Sequence, residues 1–351
     1  MSKERFLNAI NLKQVDRVPC NEWIDHPKFV KKLTGIDPFI DPCLAIIQCI
    51  SMLDIDWYVG LPKSSFKFEA DESKKNLGEG RYVSEWGFTG SGWSMEHSFN
   101  SDEEVLAYNP LEKKSYNERQ AEYAATIAGI KADQELVGEN CYISGLYYTT
   151  LFQWFILTFG WEMFLLTAAA EPKKFKQTIA WFAELSVEYA EYFAKSDLPV
   201  FYCHDDLSIT RGLVFAPRWY RENIFPYYER IFEPIKKAGK KIVFVSDGNY
   251  IELLDDLVAV GVDGVMVDHF VDIEQVLRLY GGKILVAGNA DISKLTFGTP
   301  EDVRKDVARC MEYGRRYPGY VIKVTGDIPH NIPLENIKAY FKYCREYGRL
   351  I

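Results

Sequence analysis

A chain of 351 residues with 48% hydrophobic content can bury a large core, and roughly 250 residues suffice for a complete eight-unit strand-helix barrel. Its net charge of −9 leaves no basic stripe to neutralise a phosphate backbone, so nucleic acid is excluded as an expected partner. The longest strongly apolar stretch, near Leu151 to Phe159, falls short of the roughly 20 residues that cross a bilayer, so no membrane anchor is expected. Met1 to Leu7 lacks the apolar centre of a signal peptide, which points to a cytoplasmic protein. The seven cysteines are scattered with no C-x-x-C pair and are expected to be free and mostly buried.

In chain order, Ser2 caps a helix to about Leu12, because Phe6, Leu7 and Ile10 share one face between Glu4, Arg5 and Asn8. Asp16-Arg17-Val18-Pro19 ends it, and a polar-aromatic segment follows from Asn21 to Pro27. After the turn Gly35-Ile36-Asp37-Pro38 comes a helix from about Pro42 and then a strand within Asp54 to Val59. Glycines and aromatics between Gly78 and Trp93 predict an inserted antiparallel ribbon, a wall or lid for a pocket. Cys141 to Gly145 reads as a strand, and Leu146-Tyr147-Tyr148 leaves it carrying two phenols. Helices are predicted around Gln153-Trp154-Phe155, from Pro172 past Tyr192, and from Arg218 to Lys237.

The second half holds the most informative pattern. Val200 to Cys203 runs into His204-Asp205-Asp206, Ile242 to Val245 into Ser246-Asp247-Gly248-Asn249, and Gly264 to Val267 into Asp268-His269. Ile284 to Ala287 likewise runs into Gly288-Asn289-Ala290-Asp291, and Tyr320 to Val324 into Thr325-Gly326-Asp327. Each apolar run is strand-length and is followed by a helical pattern. The expected fold is α/β: a distorted (β/α)8 TIM barrel with an N-terminal helical lead-in and an inserted β-ribbon, one domain over residues 1–351. Residues at the carboxyl ends of barrel strands converge on one pocket. Strand alternation sends Cys203 and His204 to opposite faces, and the one facing the axis is the candidate.

The polar residues at these ends have structural uses as well. Asp247, ahead of Gly248-Asn249, suits a helix cap as well as a site, and Asp291 suits a cap better than chemistry. His269 can hydrogen-bond across the barrel top, while His330 sits in a loop within reach of the pocket. Glu22 and Asp25 suit either a solvated loop or substrate orientation. His97 reads as a surface residue.

Taken in order, these stretches resemble the uroporphyrinogen decarboxylase superfamily. The matching residues are Phe159-Gly160-Trp161-Glu162, Asp205-Asp206-Leu207-Ser208 with Gly212 to Pro217, Ser246 to Asn249, Gly261 to Gly264, Gly288 to Asp291, and the tail from Ile332 to Gly348. The resemblance covers most of residues 140 to 351, with weaker agreement at Asp16 to Pro19 and Asp54 to Asp56. It implies a distorted barrel, a homodimer, and one of three activities.

Decarboxylation of the eight-carboxylate substrate implies closely spaced arginines in the N-terminal segment, where this chain has Glu22 and Asp25; acids there repel such a substrate. The family's His near the last strand end aligns with Gly326. Thiol-alkylating methyltransferases imply zinc held by His-x-Cys and a distant Cys, which align with Val245, Asp247 and Gly326. A metal here would need another set, drawn from His204, Asp206, Asp247 and His269. The remaining branch implies transfer of a methyl group from a small methylated substrate to a corrinoid (cobalamin), free or on a corrinoid protein. On that reading His204, Asp206 and Asp247 deliver and orient a proton to the leaving atom. Tyr147 or Tyr148 hydrogen-bonds it, Trp23, Trp57 and Trp86 wall the substrate, and Glu22, Asp56, Asn249, His269, Asn289 and His330 are further candidate contacts. A decarboxylase of a different substrate, or a non-catalytic tetrapyrrole- or corrinoid-binding barrel, is the alternative.

Overall fold

The computed structural model describes residues 2–64, 75–76, 81–84, 91–94 and 99–350. Five apolar runs of the second half form one parallel sheet in the order Tyr320–Val321, Leu285–Ala287, Gly264–Met266, Lys241–Val245 and Val200–His204. Parallel bridges carry this sheet into a ring. Tyr147 pairs with Cys203, the strand Tyr142–Ile143 pairs with Trp57–Tyr58, Trp57 pairs with Asn21, and Cys20 returns to Ile322. Eight parallel segments therefore close on themselves, which leaves the ring itself without an edge. Seven of them coincide with predicted strands. The eighth, at residues 20–21, falls where the polar-aromatic segment begins and was not predicted, because its pairing is only two residues long and follows Pro19 without an apolar run of its own.

Alternation along the strands sorts the core into two layers. Tyr202, Val243, Val245, Met266, Leu285 and Val321 face the axis with Trp57 and Tyr142, whereas Phe201, Cys203, Phe244 and Val265 face the surrounding helices. Phe6 and Ile10 of the helix Ser2–Ile10 plug the amino end of the axis, with Phe6 4.7 Å from Trp57 and 4.9 Å from Tyr142 between ring centroids. Truncating such a buried aromatic costs about 3–5 kcal/mol. Trp57 is therefore floor packing, its indole N–H donated to Ser144 Oγ at 2.8 Å, and not the expected substrate wall.

Asp56, also expected to meet substrate, belongs to the same closed end. It is fully buried between Arg5 and Arg17, and the amide of Cys20 donates to its Oδ2 at 2.8 Å. Burial pushes its carboxyl up even against the two guanidinium charges.

The helix Phe152–Ala170 is longer than the apolar stretch seen in the sequence and meets the length and composition of a membrane span. Half of it is packed inside the protein, where Phe152, Phe155 and Phe164 meet Phe215, Phe182 and Phe175. Gly160, at φ 75°, breaks its regularity. The single helix expected from Arg218 to Lys237 is two, Pro217–Asn223 and Phe225–Lys237, because Pro226 lacks the N–H that would continue the first. The inserted ribbon is present as Lys75–Asn76, Arg81–Ser84 and Ser91–Ser94, paired antiparallel. Trp86 and His97 lie outside the described residues. All seven cysteines are free, six of them buried.

Candidate active site

The carboxyl ends of the strands surround a cavity of about 890 Å³. Strand Val200–His204 ends in three consecutive polar residues that do three different things. His204 faces the cavity and is 6% exposed. Asp205 turns away from it to the start of the helix Phe152–Ala170, accepting from the amides of Leu151, Phe152 and Gln153 at 2.7, 2.8 and 2.6 Å and from Tyr228 Oη at 2.6 Å. A carboxylate at a helix start meets unpaired N–H groups, so Asp205 is an architectural clamp. Burial still drives its carboxyl up to about 6 against those four donors.

Asp206 returns to the imidazole. Its Oδ1 lies 3.0 Å from His204 Nε2 and also accepts the Asp247 amide at 2.9 Å, while Gln153 Nε2 donates to Oδ2 at 3.1 Å. His204 Nδ1 is 2.8 Å from the Tyr148 carbonyl, which fixes a proton on that nitrogen and turns Nε2 toward the acids. The Tyr148 ring stacks on the imidazole at 4.7 Å. Burial disfavours the imidazolium, but the hydrogen bond and charge of Asp206 outweigh it and hold His204 up at about 9. Asp247 is exposed on the cavity wall, yet desolvation by the surrounding protein and the Asp206 charge push it up to about 6, with His204 opposing.

Ligand atoms of His204, Asp206 and Asp247 all lie within 4.8 Å of one another, the one such group of three among the described residues. His269, expected as a fourth donor, lines the cavity outside this group and pairs by charge with Asp268, its Nδ1 2.7 Å from Oδ1 without hydrogen-bond alignment, and that neighbour raises its pKa. The zinc ligands of the thiol-alkylating branch are missing from the aligned positions of this chain. Of the three aligned positions, Val245 is a buried aliphatic and Gly326 has no side chain, leaving Asp247 alone as a donor. At 3.0 Å a single proton already satisfies His204 and Asp206 together.

Glu22 and Trp23 line the opposite wall. Glu22 is 1% exposed; its Oε1 accepts the Val324 amide and the Tyr340 hydroxyl, and its Oε2 is buried without a partner. Burial pushes Glu22 up to about 7, against Lys323. Lys323 and Asp327 share this wall; Asp327 stood in the strand-end pattern without an assigned role, and Lys323 was missed. Lys323 donates to the Gly326 carbonyl at 2.9 Å, and burial pushes Asp327 up to about 6 against the Lys323 charge. The signal for Lys323 was available: it stands two residues after the axis-facing Val321, so period two points it inward. Gln153 was likewise read only as part of a helix.

Four other candidates are not at the cavity. Tyr147 packs behind the barrel wall, 4.3 Å from the Tyr189 ring, with its hydroxyl 2.9 Å from Ser186 Oγ. Asn249 turns its Oδ1 to the Ile251 amide, and Asn289 is fully buried, donating to the carbonyls of Asp268 and Val271. Neither these nor His330 is among the lining residues. Asp291 caps the helix Ile292–Phe297 through the Ser293 amide.

A closed parallel barrel whose strand ends gather an imidazole, carboxylates and a lysine around one cavity has the architecture of a barrel enzyme. The family model for Uroporphyrinogen decarboxylase (URO-D) matches residues 157–347, more than half of the chain, and the protein belongs to that family. Curated relatives named uroporphyrinogen decarboxylase include one from Pseudoalteromonas atlantica, 28% identical over 142 residues, which are 40% of this chain and 40% of that protein. Another, from Trichodesmium erythraeum, is 27% identical over 189 residues, 52% of this chain and 51% of the relative. The chain thus spans about half or less of the length of the curated relatives it matches. Among solved structures, a methyltransferase from Methanosarcina mazei shares the fold with a TM-score of 0.67 at 18% identity, over 99% of this chain and 98% of that one.

Proposed function

We propose that this protein is a methyltransferase that moves a methyl group from a small methylated substrate to a corrinoid, free or carried by a partner protein. The observation that carries this reading is the His204–Asp206–Asp247 cluster on the cavity wall, a buried imidazole oriented by a carboxylate. Displacement at a methyl carbon leaves an electron pair on the departing oxygen, nitrogen or sulfur, and a proton delivered there makes departure easier. His204 Nε2 is the donor of that proton. The Tyr148 carbonyl fixes the other ring nitrogen, and Gln153 and the Asp247 amide fix Asp206, so the pair is aligned before substrate enters. With a pKa near 9, His204 holds its proton at neutral pH.

The reduced corrinoid supplies the nucleophile that accepts the methyl group. Three apolar side chains at the mouth, Tyr148, Ile209 and Phe270, are 52%, 48% and 43% exposed, and such a rim suits the flat face of a macrocycle. The methyltransferase name of the methanogen protein that shares the fold agrees with this reading. Decarboxylation, suggested by the names of the curated relatives, is the second reading. It is disfavoured by charge, because a substrate with several carboxylates needs several cations, and Lys323 is the one lysine or arginine on the described lining. The test is a screen of methoxylated, methylamine and betaine compounds with cob(I)alamin as acceptor, read as methylcobalamin absorbance. Methylcobalamin formation supports the proposal; carbon dioxide release with no methyl transfer overturns it.

A further inference from the structure

The charges around the cavity pair off unevenly. His204 is matched by Asp206 and His269 by Asp268. That leaves three lining acids, Glu22, Asp247 and Asp327, facing Lys323 alone. Among the described residues no carboxylate oxygen lies within 4 Å of Lys323 Nζ, whose contact is the Gly326 carbonyl. The lysine therefore offsets part of the negative charge without closing on any one acid.

Two further observations point to what would complete the site. Glu22 is buried against the cavity wall, and its Oε2, closed to water, has no hydrogen-bond partner; no donor caps that oxygen, so its charge acts on the cavity as a field. The same cavity is lined by the aromatic side chains of Trp23 and Tyr202, and aromatic faces attract cations, most strongly once water is excluded. Excess carboxylate with aromatic walls is the surrounding that an organic ammonium ion prefers over a neutral or anionic molecule of equal size.

We infer that the substrate is a small methylated ammonium cation, held between Glu22, Asp247 and Asp327 and the aromatic walls. This rests on the methyl-transfer reading for its chemistry and on the cavity for its binding. In the reaction the methyl carbon passes to the reduced corrinoid, the carbon–nitrogen electron pair stays on nitrogen, and the proton of His204 Nε2 closes on that pair. The product amine is again a cation, the charge state the cavity favours.

Calorimetric titration at pH 8 with three compounds of similar shape tests the inference: tetramethylammonium, tert-butanol and pivalate. Tetramethylammonium is expected to bind at least tenfold more tightly than tert-butanol, with pivalate weakest. Glu22→Gln and Asp327→Asn should each weaken the cation three- to tenfold and leave tert-butanol unchanged, and Lys323→Met should tighten it. Equal binding of tert-butanol, preference for pivalate, or no binding of tetramethylammonium overturns the inference. If the acid variants fail to fold, Lys323→Met decides alone, weaker or unchanged cation binding counting against it. Cation binding without methyl transfer to cob(I)alamin removes the methyl-transfer reading and leaves the cation site; transfer from a neutral methyl ether without tetramethylammonium binding does the reverse.

Discussion

Both ends of the barrel set acids beside positive groups, and they do so to opposite effect. At the amino end Asp56 is saturated: Arg5 and Arg17 meet Oδ1, while Arg17 and the Cys20 amide meet Oδ2. At the carboxyl end Asp206 is oriented on His204 and Asp247 is exposed on the cavity wall, while Glu22 Oε2 is buried with no hydrogen-bond partner. Complete pairing marks a site finished by folding. Incomplete pairing beside a cavity marks one finished by a ligand.

The comparison can be broken in four ways. The largest effect is expected for Asp206→Asn, which removes the charge that keeps His204 protonated and should lower turnover by about 10²–10⁴-fold. Its melting temperature should stay near that of the parent, and near-normal methyl transfer would remove Asp206 from the chemistry. Asp56→Ala should do the converse. Arg5 keeps Asp16 and Arg17 keeps Asp54, so losing the buried anion they share should cost about 3 kcal/mol in denaturant titration, and a loss below about 1 kcal/mol would show the closed end to be no more demanding than the mouth.

Glu22→Gln sharpens the contrast through pH. The folded value, about 7, lies above the ordinary 4.5, so neutral Glu22 favours the folded state at low pH. Its contribution is fully present below about 4.5 and is lost as pH rises toward 7. Glutamine, which keeps an acceptor for Val324 and Tyr340, should flatten that part of the stability profile and raise the melting temperature at pH 8 by a few degrees. An unchanged profile would mean that Glu22 ionises as freely as a surface side chain. The smallest effect is expected from chelation. If a proton joins His204 to Asp206, treatment with a strong chelator should leave turnover within about twofold, whereas loss restored by added zinc would assign the three-residue cluster to a metal.

The barrel was legible because strand-length apolar runs ended repeatedly in polar residues, a pattern carried by many residues at once. The segment at 20–21 escaped because a two-residue pairing leaves no periodicity to read. At the site, His204, Asp206 and Asp247 were legible as strand-end residues, and His204 rather than Cys203 faces the axis as alternation requires. Asp56, Asn249 and Asn289 show the weakness of the same signal: a polar residue near a strand end also serves buried salt bridges and backbone caps. Lys323 was hidden by its place inside an apolar run, where composition draws attention away from the alternation that turns it inward.

Asp205 and Asp206 are neighbours, and both reach the first turn of one helix, the former through the amides of Leu151, Phe152 and Gln153 and the latter through the Gln153 side chain. Anchorage and aim are consequently joined in a single mechanical part. A lesion that loosens this turn would tilt the carboxylate beneath the imidazole long before the barrel opened, so damage here should surface first as a slow catalyst with an intact melting curve.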